Sequence, residues 1–381
     1  MPFFSFLINN CNDLLSEFNI KPNIVYFSKS TYIWKKINKR NNEKFLNFKR
    51  EKRNKAPILA NKILFCLPPS IGLGDAVEYA QSIKAIKDSK IFDKIGIAFC
   101  ENYSFIFRDY FNLENLYPYI ISKESIQKYQ SIFHFTLEIK ALQNQKNIRS
   151  NIDTEIKKFF KIKSNPHILN KYNNIKKKNT ISIFPISNSP LRTMPINILN
   201  NLINFLNKYF LVEVYFDKSS EISNYLLERT NKKNIKIKDP ISRVELVNEI
   251  KKIEYGIFMD SGPLHIAKLF NKKGILIESS VSSKILLNDY NKIISIKNNF
   301  TSKYCRSPCG LTDLFNHNGN SGCYNSFRTT LNENKKNNSI YYLERRGVKN
   351  NYLSHIKAPV GCLRTLNVQN ILNYIIKDLL L

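Results

Sequence analysis

The sequence is poor in glycine and has no long apolar run. Gly accounts for 11 of 381 residues, against about 7% in an average protein, which excludes collagen-like and glycine-rich low-complexity classes. No stretch approaches the roughly 20 apolar residues of a membrane-spanning helix. The apolar start, Met1–Ile8, has no basic segment before it and runs into Asn and Asp residues. It is therefore not typical of a signal peptide.

Cysteine is present at seven positions, an odd number in a long chain, which does not fit a secreted disulfide scaffold. We therefore expect a protein of a reducing compartment, the cytoplasm. Four cysteines lie near the C-terminus: Cys305, Cys309, Cys323 and Cys362. A zinc site, a redox-labile pair and buried apolar side chains are the three interpretations. The spacing fits zinc poorly, because no Cys-x-x-Cys occurs.

Basic residues outnumber acidic ones by 59 to 30, which gives a formal net charge of +29. This excess favours a polyanion such as nucleic acid, an anionic membrane or a phosphorylated substrate, but a general bias toward Lys, Asn and Ile explains it equally well. The segment Lys35–Lys55 alone has ten Lys or Arg against two Glu. It is either a polyanion or membrane patch or a solvated surface. No nucleic-acid-binding motif is present, so we expect no specific nucleic-acid partner.

Short apolar runs alternate with helical patterns from Lys62 onward. The predicted strands are Lys62–Leu67, Lys94–Cys100, Ser131–Phe135, Thr180–Pro185, Leu211–Phe216, Tyr255–Asp260 and Lys273–Ser279. A polar, basic linker at Asn170–Asn179 separates the first three from the rest. The pattern predicts an α/β fold with two doubly wound, parallel-sheet domains facing a cleft. We expect a basic N-terminal extension (1–60), two domains (61–175 and 176–300) and a Cys-containing C-terminal region (301–381).

The first candidate loop, Ser70–Asp75, lies between a predicted strand and a predicted helix. It uses two of the eleven glycines, Gly72 and Gly74, which allow a tight turn and close approach to a ligand. The third glycine of a dinucleotide fingerprint is missing, because Val77 stands in its place. Asp75 at the helix start is either a general base or a helix cap, and the loop alone favours the cap.

The second candidate loop begins at Asp260, where a predicted strand ends. Pro263 suits the first turn of a helix, and the N–H groups of such a helix start, with the Ser261 hydroxyl, suit an anion. His265 can add a donor to a phosphate. The alternative is a plain helix cap with His265 half-buried, but the pattern favours phosphate binding.

The third candidate loop, Ser187–Pro195, also joins a predicted strand to a helix and carries Arg192. A guanidinium can hold a diphosphate through two hydrogen bonds. Together the three loops offer a carboxylate, an anion site and a cation. They suit transfer from an activated diphosphate donor, in which the carboxylate deprotonates an acceptor and positive groups stabilise the leaving diphosphate. No Asp-x-Asp pair for a divalent metal occurs, so cationic side chains take that role.

Three stretches resemble, in order and spacing, glycosyltransferase family 9, the ADP-heptose:lipopolysaccharide heptosyltransferases and their relatives. They read SIGLGDAVEYAQSIKAIK, SNSPLRTMP and GIFMDSGPLHIAKLF. The resemblance implies the GT-B fold, with two Rossmann-like domains, and inverting sugar transfer without a catalytic metal or other cofactor. It also implies an ADP-sugar donor, such as an ADP-heptose, and a surface-glycan or lipopolysaccharide-type acceptor. Such an enzyme is expected at the inner face of the cytoplasmic membrane.

Carried over by motif, the resemblance makes Asp75 the catalytic base and places Gly72 and Gly74 in the acceptor loop. The residues that it implies for donor binding are Ser187, Asn188, Arg192, Glu221, Asp260, Ser261, Gly262 and His265. Two positions depart from the family pattern, because Arg192 stands where Lys is usual and Met194 where Trp is common. The alternative is a non-catalytic nucleotide-sugar or glycan-binding protein on the same scaffold, and the presence of Asp75 together with His265 argues against it.

Overall fold

The computed structural model describes residues 23–27, 61–67, 71–99, 103–117, 125, 128–135, 151–170, 179–298, 300–301, 306–308, 356–357, 359 and 361–379. The chain divides into two compact units, one made of Met1–Lys140 and Ile152–His167, the other of Ala141–Asn151 and Ile168–Leu381. Residues 171–178 of the predicted linker and the basic segment Lys35–Lys55 lie outside the described residues. In the described part of the chain, no helix is long and apolar enough to cross a membrane.

The first unit contains a five-stranded parallel sheet. Its strands are β1 (Asn23–Phe27), β2 (Lys62–Cys66), β3 (Lys94–Ala98), β4 (Leu116–Tyr117) and β5 (Ser131–Phe135). Its helices are α1 (Leu73–Asp88), a π-helical turn (Ile106–Tyr110) and α2 (Ile152–Phe159). The strand order is β1-β5-β2-β3-β4, and every neighbouring pair is parallel. Thus β1, which comes from the first 60 residues, joins the edge of this sheet.

Strand β2 is the buried centre of the first sheet. Ile63, Leu64 and Phe65 are at most 1% exposed, as expected for a strand covered on both faces. The Phe65 ring packs edge-on against Phe133 at 5.6 Å and Phe160 at 5.9 Å between ring centroids. Because β2 lies between β5 and β3, the chain order reverses beside it, and the loop that leads from β2 to α1 starts at this reversal.

Helix α2 is tied to α1 by a buried polar contact. The Asp153 carboxylate accepts from Ser82 Oγ at 3.1 Å and from Lys157 Nζ at 2.8 Å. Burial raises the pKa of the Asp153 carboxyl, while Lys157 acts in the opposite direction. A buried carboxylate requires such partners, so this cluster fixes how α2 packs beside the helix that carries Asp75.

The second unit contains a six-stranded parallel sheet. Its strands are β6 (Thr180–Phe184), β7 (Leu211–Tyr215), β8 (Ile235–Lys238), β9 (Tyr255–Phe258), β10 (Lys273–Ile277) and β11 (Ile293–Ile296). Its helices are α3 (Ile196–Leu206), α4 (Glu221–Arg229), α5 (Arg243–Lys252), α6 (Gly262–Leu269), α7 (Ser283–Leu286) and α8 (Val368–Leu379). Two 3-10 turns (Pro190–Arg192 and Gly361–Leu363) and the short antiparallel pair β12 (Phe300–Thr301) and β13 (Arg306–Ser307) complete it.

The order of the second sheet is β11-β10-β9-β6-β7-β8, which reproduces the Rossmann arrangement, with β6 as its first strand. The chain order reverses between β6 and β9, the two central strands. Ligands of such sheets bind outside the carboxyl ends of the strands at this reversal. The loops that follow β6 and β9 are therefore where a ligand is expected.

The C-terminal segment packs into the core of the second unit. Cys362 and Leu363 are at most 5% exposed, and Ile371 and Ile375 of α8 are fully buried with the core residues of α3, β6 and β7. The Cys362 carbonyl accepts hydrogen bonds from the Asn298 amide and from Thr365 Oγ1. The described C-terminal residues thus contribute apolar side chains to the core of this unit.

The seven strands predicted from the sequence are all present, with ends that agree within two residues. The predicted α/β class with two parallel sheets is confirmed. Strands β1, β4, β8 and β11 were not predicted, and each lies at an edge of its sheet. Edge strands are less buried and need no continuous apolar run, as the alternating Ile and Lys residues of β8 illustrate.

Candidate functional site

Two loops of the second unit leave the sheet side by side. Strands β6 and β9 are paired in register so that Phe184 lies beside Phe258, the last residue of each. Their rings stack at 5.2 Å with an angle of 8° between the planes. The Met259 N–H then donates to the Phe184 carbonyl at 3.4 Å. The chain segments that follow, one with Arg192 and the other with Asp260, start from adjacent points at the topological reversal.

Helix α6 begins after β9 and three connecting residues. Ser261 is its N-cap residue in extended conformation and Pro263 occupies its first turn; Pro lacks the N–H that has no intrahelical partner there. Asp260 and Ser261 are buried, whereas Gly262 and His265 are partly exposed. The local pattern predicted from Asp260–His265 is therefore present, and a helix start at this edge favours an anion.

Arg192 and Asp260 form an ion pair that joins the two loops. Arg192 Nη1 donates to the backbone carbonyl of Asp260 at 2.9 Å and lies 3.3 Å from its Oδ1. The Arg192 side chain is 18% exposed and the Asp260 side chain 6%. The second carboxylate oxygen, Oδ2, is buried and accepts no hydrogen bond from the described residues. The pair places a partly accessible guanidinium immediately before the start of α6.

The loop from β6 to α3 presents Arg192 at the end of a 3-10 turn. Ser187 is buried and Asn188 is exposed. Ser189 Oγ accepts from the Leu191 N–H at 3.3 Å and so begins the turn. The fully buried Thr193, to which the sequence motifs assign no role, accepts from the Ser187 N–H. A Thr that follows an Arg in a loop carries no sequence signal that would single it out.

Glu221, implied by the resemblance for donor binding, is the exposed first residue of α4. This helix follows β7, the neighbour of β6. Glu221 therefore follows a strand end on the same edge of the sheet as Arg192 and Asp260, and Ser220, rather than Glu221, caps the helix.

In the first unit, Asp75 lies in the first turn of α1. Its Oδ2 accepts from the Gly72 N–H at 2.9 Å, so the carboxylate caps the helix. The Asp75 side chain is partly exposed, and Gly74 is buried in the same turn. The two sequence-based interpretations, cap and base, remain compatible, because one carboxylate oxygen suffices for the cap.

The proposed cysteine site falls mostly outside the described residues, which contain Cys362 but not Cys305, Cys309 or Cys323. Within the described ranges, no group of three or more His, Cys, Asp or Glu side chains could hold a metal ion. Cys362 itself lies in the apolar core of the second unit.

No protein-family model matches the sequence, and a search of curated proteins finds no match. Among solved structures, the glycosyl transferase family 9 protein from Veillonella parvula DSM 2008 has a TM-score of 0.50 and 13% identity, over 74% of this chain and 97% of that one. The structure of E. coli heptosyltransferase WaaC with ADP-2-deoxy-2-fluoro heptose has a TM-score of 0.44 and 8% identity. The match covers 62% of this chain and 93% of that one. A third similar structure is the dodecameric iron-containing heptosyltransferase TibC of enterotoxigenic E. coli in complex with ADP-D-beta-D-heptose. It has a TM-score of 0.49 and 11% identity, and the match covers 77% of this chain and 76% of that one.

The two parallel α/β units and the likeness to the V. parvula structure define a protein of GT-B fold. The fold class predicted from the sequence is thereby confirmed. At 13% identity the likeness concerns the fold, which does not by itself determine the chemistry.

The Arg192–Asp260 pair leads to a prediction about stability. Arg192→Met removes the charge and leaves the buried Asp260 carboxylate without its cation, which we expect to lower the free energy of unfolding by about 3 kcal/mol. The double variant Arg192→Met/Asp260→Asn removes both charges and should recover most of that loss. Urea unfolding of the three proteins measures this. Equal stability of Arg192→Met and the unmodified protein would show that the pair is not formed in solution.

Proposed function

We propose that this protein is an inverting glycosyltransferase that moves a sugar from a nucleotide diphosphate donor to a surface-glycan or lipopolysaccharide-type acceptor, without a catalytic metal. The observation that carries the proposal is the pair formed by Arg192 and Asp260 at the central reversal of a Rossmann sheet, directly before α6. The fold likeness to a glycosyl transferase family 9 structure supports it, as do the three motifs of the sequence.

The donor site is proposed at the carboxyl edge of the second sheet. The diphosphate accepts from the start of α6, from Ser261 and Gly262, and from His265, while Arg192 supplies positive charge. As the bond between the sugar and the diphosphate breaks, negative charge grows on the leaving phosphate, and fixed cationic donors stabilise it. Glu221 is proposed to accept from the ribose hydroxyls. An ADP-sugar is the proposed donor, with a heptose as the candidate sugar.

Asp75 is proposed as the base, with Gly72 and Gly74 shaping the acceptor loop. Oδ2 is held by the Gly72 N–H, which orients the carboxylate and leaves Oδ1 to take the acceptor proton. The acceptor oxygen bonds to the anomeric carbon as the bond to the phosphate oxygen breaks, so the configuration inverts. The proton passes to Asp75 and the electron pair to the leaving diphosphate.

A second candidate function is non-catalytic binding of a nucleotide-sugar or glycan on the same scaffold. The observation that favours it is the capping contact of Asp75, because a helix cap gives this carboxylate a structural reason to be present. The two functions share the donor site and differ in whether Asp75 takes a proton.

Donor binding is tested first by thermal shift with ADP-, GDP-, UDP- and CDP-sugars. A ligand that binds the folded state raises the melting temperature according to its concentration relative to its Kd, and we expect the ADP-sugar to give the largest shift. Arg192→Ala should weaken binding of the preferred nucleotide diphosphate by about tenfold or more, because a charge-assisted contact is lost. No shift with any of the four donors would contradict the proposed function.

The role of Asp75 is tested with a substitution that keeps the cap. Asp75→Asn retains an oxygen that can accept from the Gly72 N–H but cannot take a proton, so we expect the fold and donor binding to persist. Sugar transfer should fall by about 100-fold or more. Asp75→Ala, which removes both roles, should also lower the melting temperature. Transfer by Asp75→Asn at the normal rate would remove Asp75 as the base, and an absence of transfer by the unmodified protein would favour the non-catalytic alternative.

Peripheral attachment to the inner face of the cytoplasmic membrane is also proposed, on charge alone. The net charge of +29 includes +8 from the segment Lys35–Lys55, and basic surfaces bind anionic lipid. We expect the full chain to sediment with vesicles containing anionic lipid at low salt and to be released as salt rises, because the attraction is screened. Neutral vesicles are the control. Failure to bind anionic vesicles at low salt would leave the charge as compositional bias.

A further inference from the structure

Thr193, directly after Arg192, is the hydrogen-bonding centre of the loop between β6 and α3. Its side chain is 0% exposed. Thr193 Oγ1 accepts from the Ser187 N–H at 3.2 Å and lies 2.9 Å from the Ser189 carbonyl and 3.2 Å from the Ser187 carbonyl. A hydroxyl has one proton to donate, and the Ser189 carbonyl is the nearer acceptor. The hydroxyl therefore links both sides of the loop.

This loop has few backbone contacts that could replace the hydroxyl. Its ends are joined by the Met194 N–H, which donates to the Pro185 carbonyl at 2.8 Å. Inside the loop, the Arg192 N–H donates to the Ser189 carbonyl at 3.1 Å and the Thr193 N–H to the Pro190 carbonyl at 3.4 Å. The Ser189 carbonyl thus accepts from both the Arg192 N–H and the Thr193 hydroxyl. These two donors share one acceptor. Arg192 is thus held at the end of the 3-10 turn by its own N–H.

We propose that Thr193 is a positioning residue for the nucleotide diphosphate, acting through Arg192. The hydroxyl holds the loop in the shape that lets Arg192 Nη1 reach the Asp260 carbonyl at 2.9 Å. Without it, the Ser187 N–H loses its acceptor in a buried place, and the loop rearranges to satisfy that group. The guanidinium then no longer stands at the start of α6. The role rests on the proposed function, because it concerns the same donor.

The test compares substitutions that separate the hydroxyl of Thr193 from its methyl group. Thr193→Val keeps the shape and removes the hydroxyl, whereas Thr193→Ser keeps the hydroxyl. Thr230→Val is the matched control, because Thr230 is also buried and donates to the Leu226 carbonyl at 2.7 Å, but at the end of α4. Binding of ADP, GDP, UDP and CDP is measured by calorimetry, with melting temperatures to establish folding. Thr193→Ala takes the place of Thr193→Val if the latter does not fold.

We expect Thr193→Val to raise the Kd for the preferred nucleotide diphosphate about tenfold, with Thr193→Ser and Thr230→Val close to the unmodified protein. A double-mutant cycle gives the readout that a purely structural role would not produce. In the Arg192→Ala background, Thr193→Val should have no further effect on Kd, because its effect passes through the guanidinium.

Two results would overturn the positioning role while leaving the proposed function intact. One is an unchanged Kd for folded Thr193→Val, and the other is an equal loss of affinity with and without Arg192. If Thr193→Ser loses as much as Thr193→Val, the hydroxyl is not the group that acts, and the proposal is also wrong. If the unmodified protein binds none of the four diphosphates, the proposed function fails first, and the role of Thr193 fails with it.

Discussion

The parallel pairing of β6 with β9 is the contact on which the candidate donor site depends. The two strands are adjacent in the sheet although about seventy residues separate them along the chain. Their register, Ile181 to Phe184 against Tyr255 to Phe258, brings both carboxyl ends to the same point. Slippage of a strand by one residue would turn every side chain to the other face, so the apolar cores on both faces hold the register. The cation of one loop and the carboxylate of the other meet as a consequence.

Beyond the strand ends, apolar packing gives way to polar contacts. The loop after β6 contains three prolines, at 185, 190 and 195, which donate no backbone hydrogen bond. Side-chain hydroxyls form some of the hydrogen bonds of this loop instead. Ser189 Oγ accepts at the start of the 3-10 turn, and Thr193 Oγ1 donates back to the Ser189 carbonyl. Arg192, which extends from this turn to Asp260, is thus supported by its own loop and by the start of α6. Such support by neighbouring groups is what holds a charged ligand contact in one position.

In the first unit, one carboxylate combines a structural and a proposed chemical role. The Asp75 cap at the start of α1 is made by one oxygen, and α1 is itself tied to α2 through Ser82 and Asp153. A base needs a fixed position relative to its proton donor, and a rigid helix start provides one. Cap and base are therefore linked: the contact that stabilises the helix also orients the group proposed to take the proton.

Much of the fold and part of the candidate site could be predicted from the sequence. Buried central strands are continuous apolar runs, and a helix start is marked by Ser261, Gly262 and Pro263, so local patterns sufficed for both. The edge strands β1, β4, β8 and β11 were not predicted. Of these, β8 alternates Ile with Lys and β4 has only two residues, so neither forms the continuous apolar run of a central strand. Arg192 and Asp260 were each predicted as donor residues, but their ion pair depends on strand order, which residue types alone do not specify. The same holds for Thr193, since a buried hydroxyl acquires its role only when tertiary packing removes water and leaves Ser187 and Ser189 as its partners.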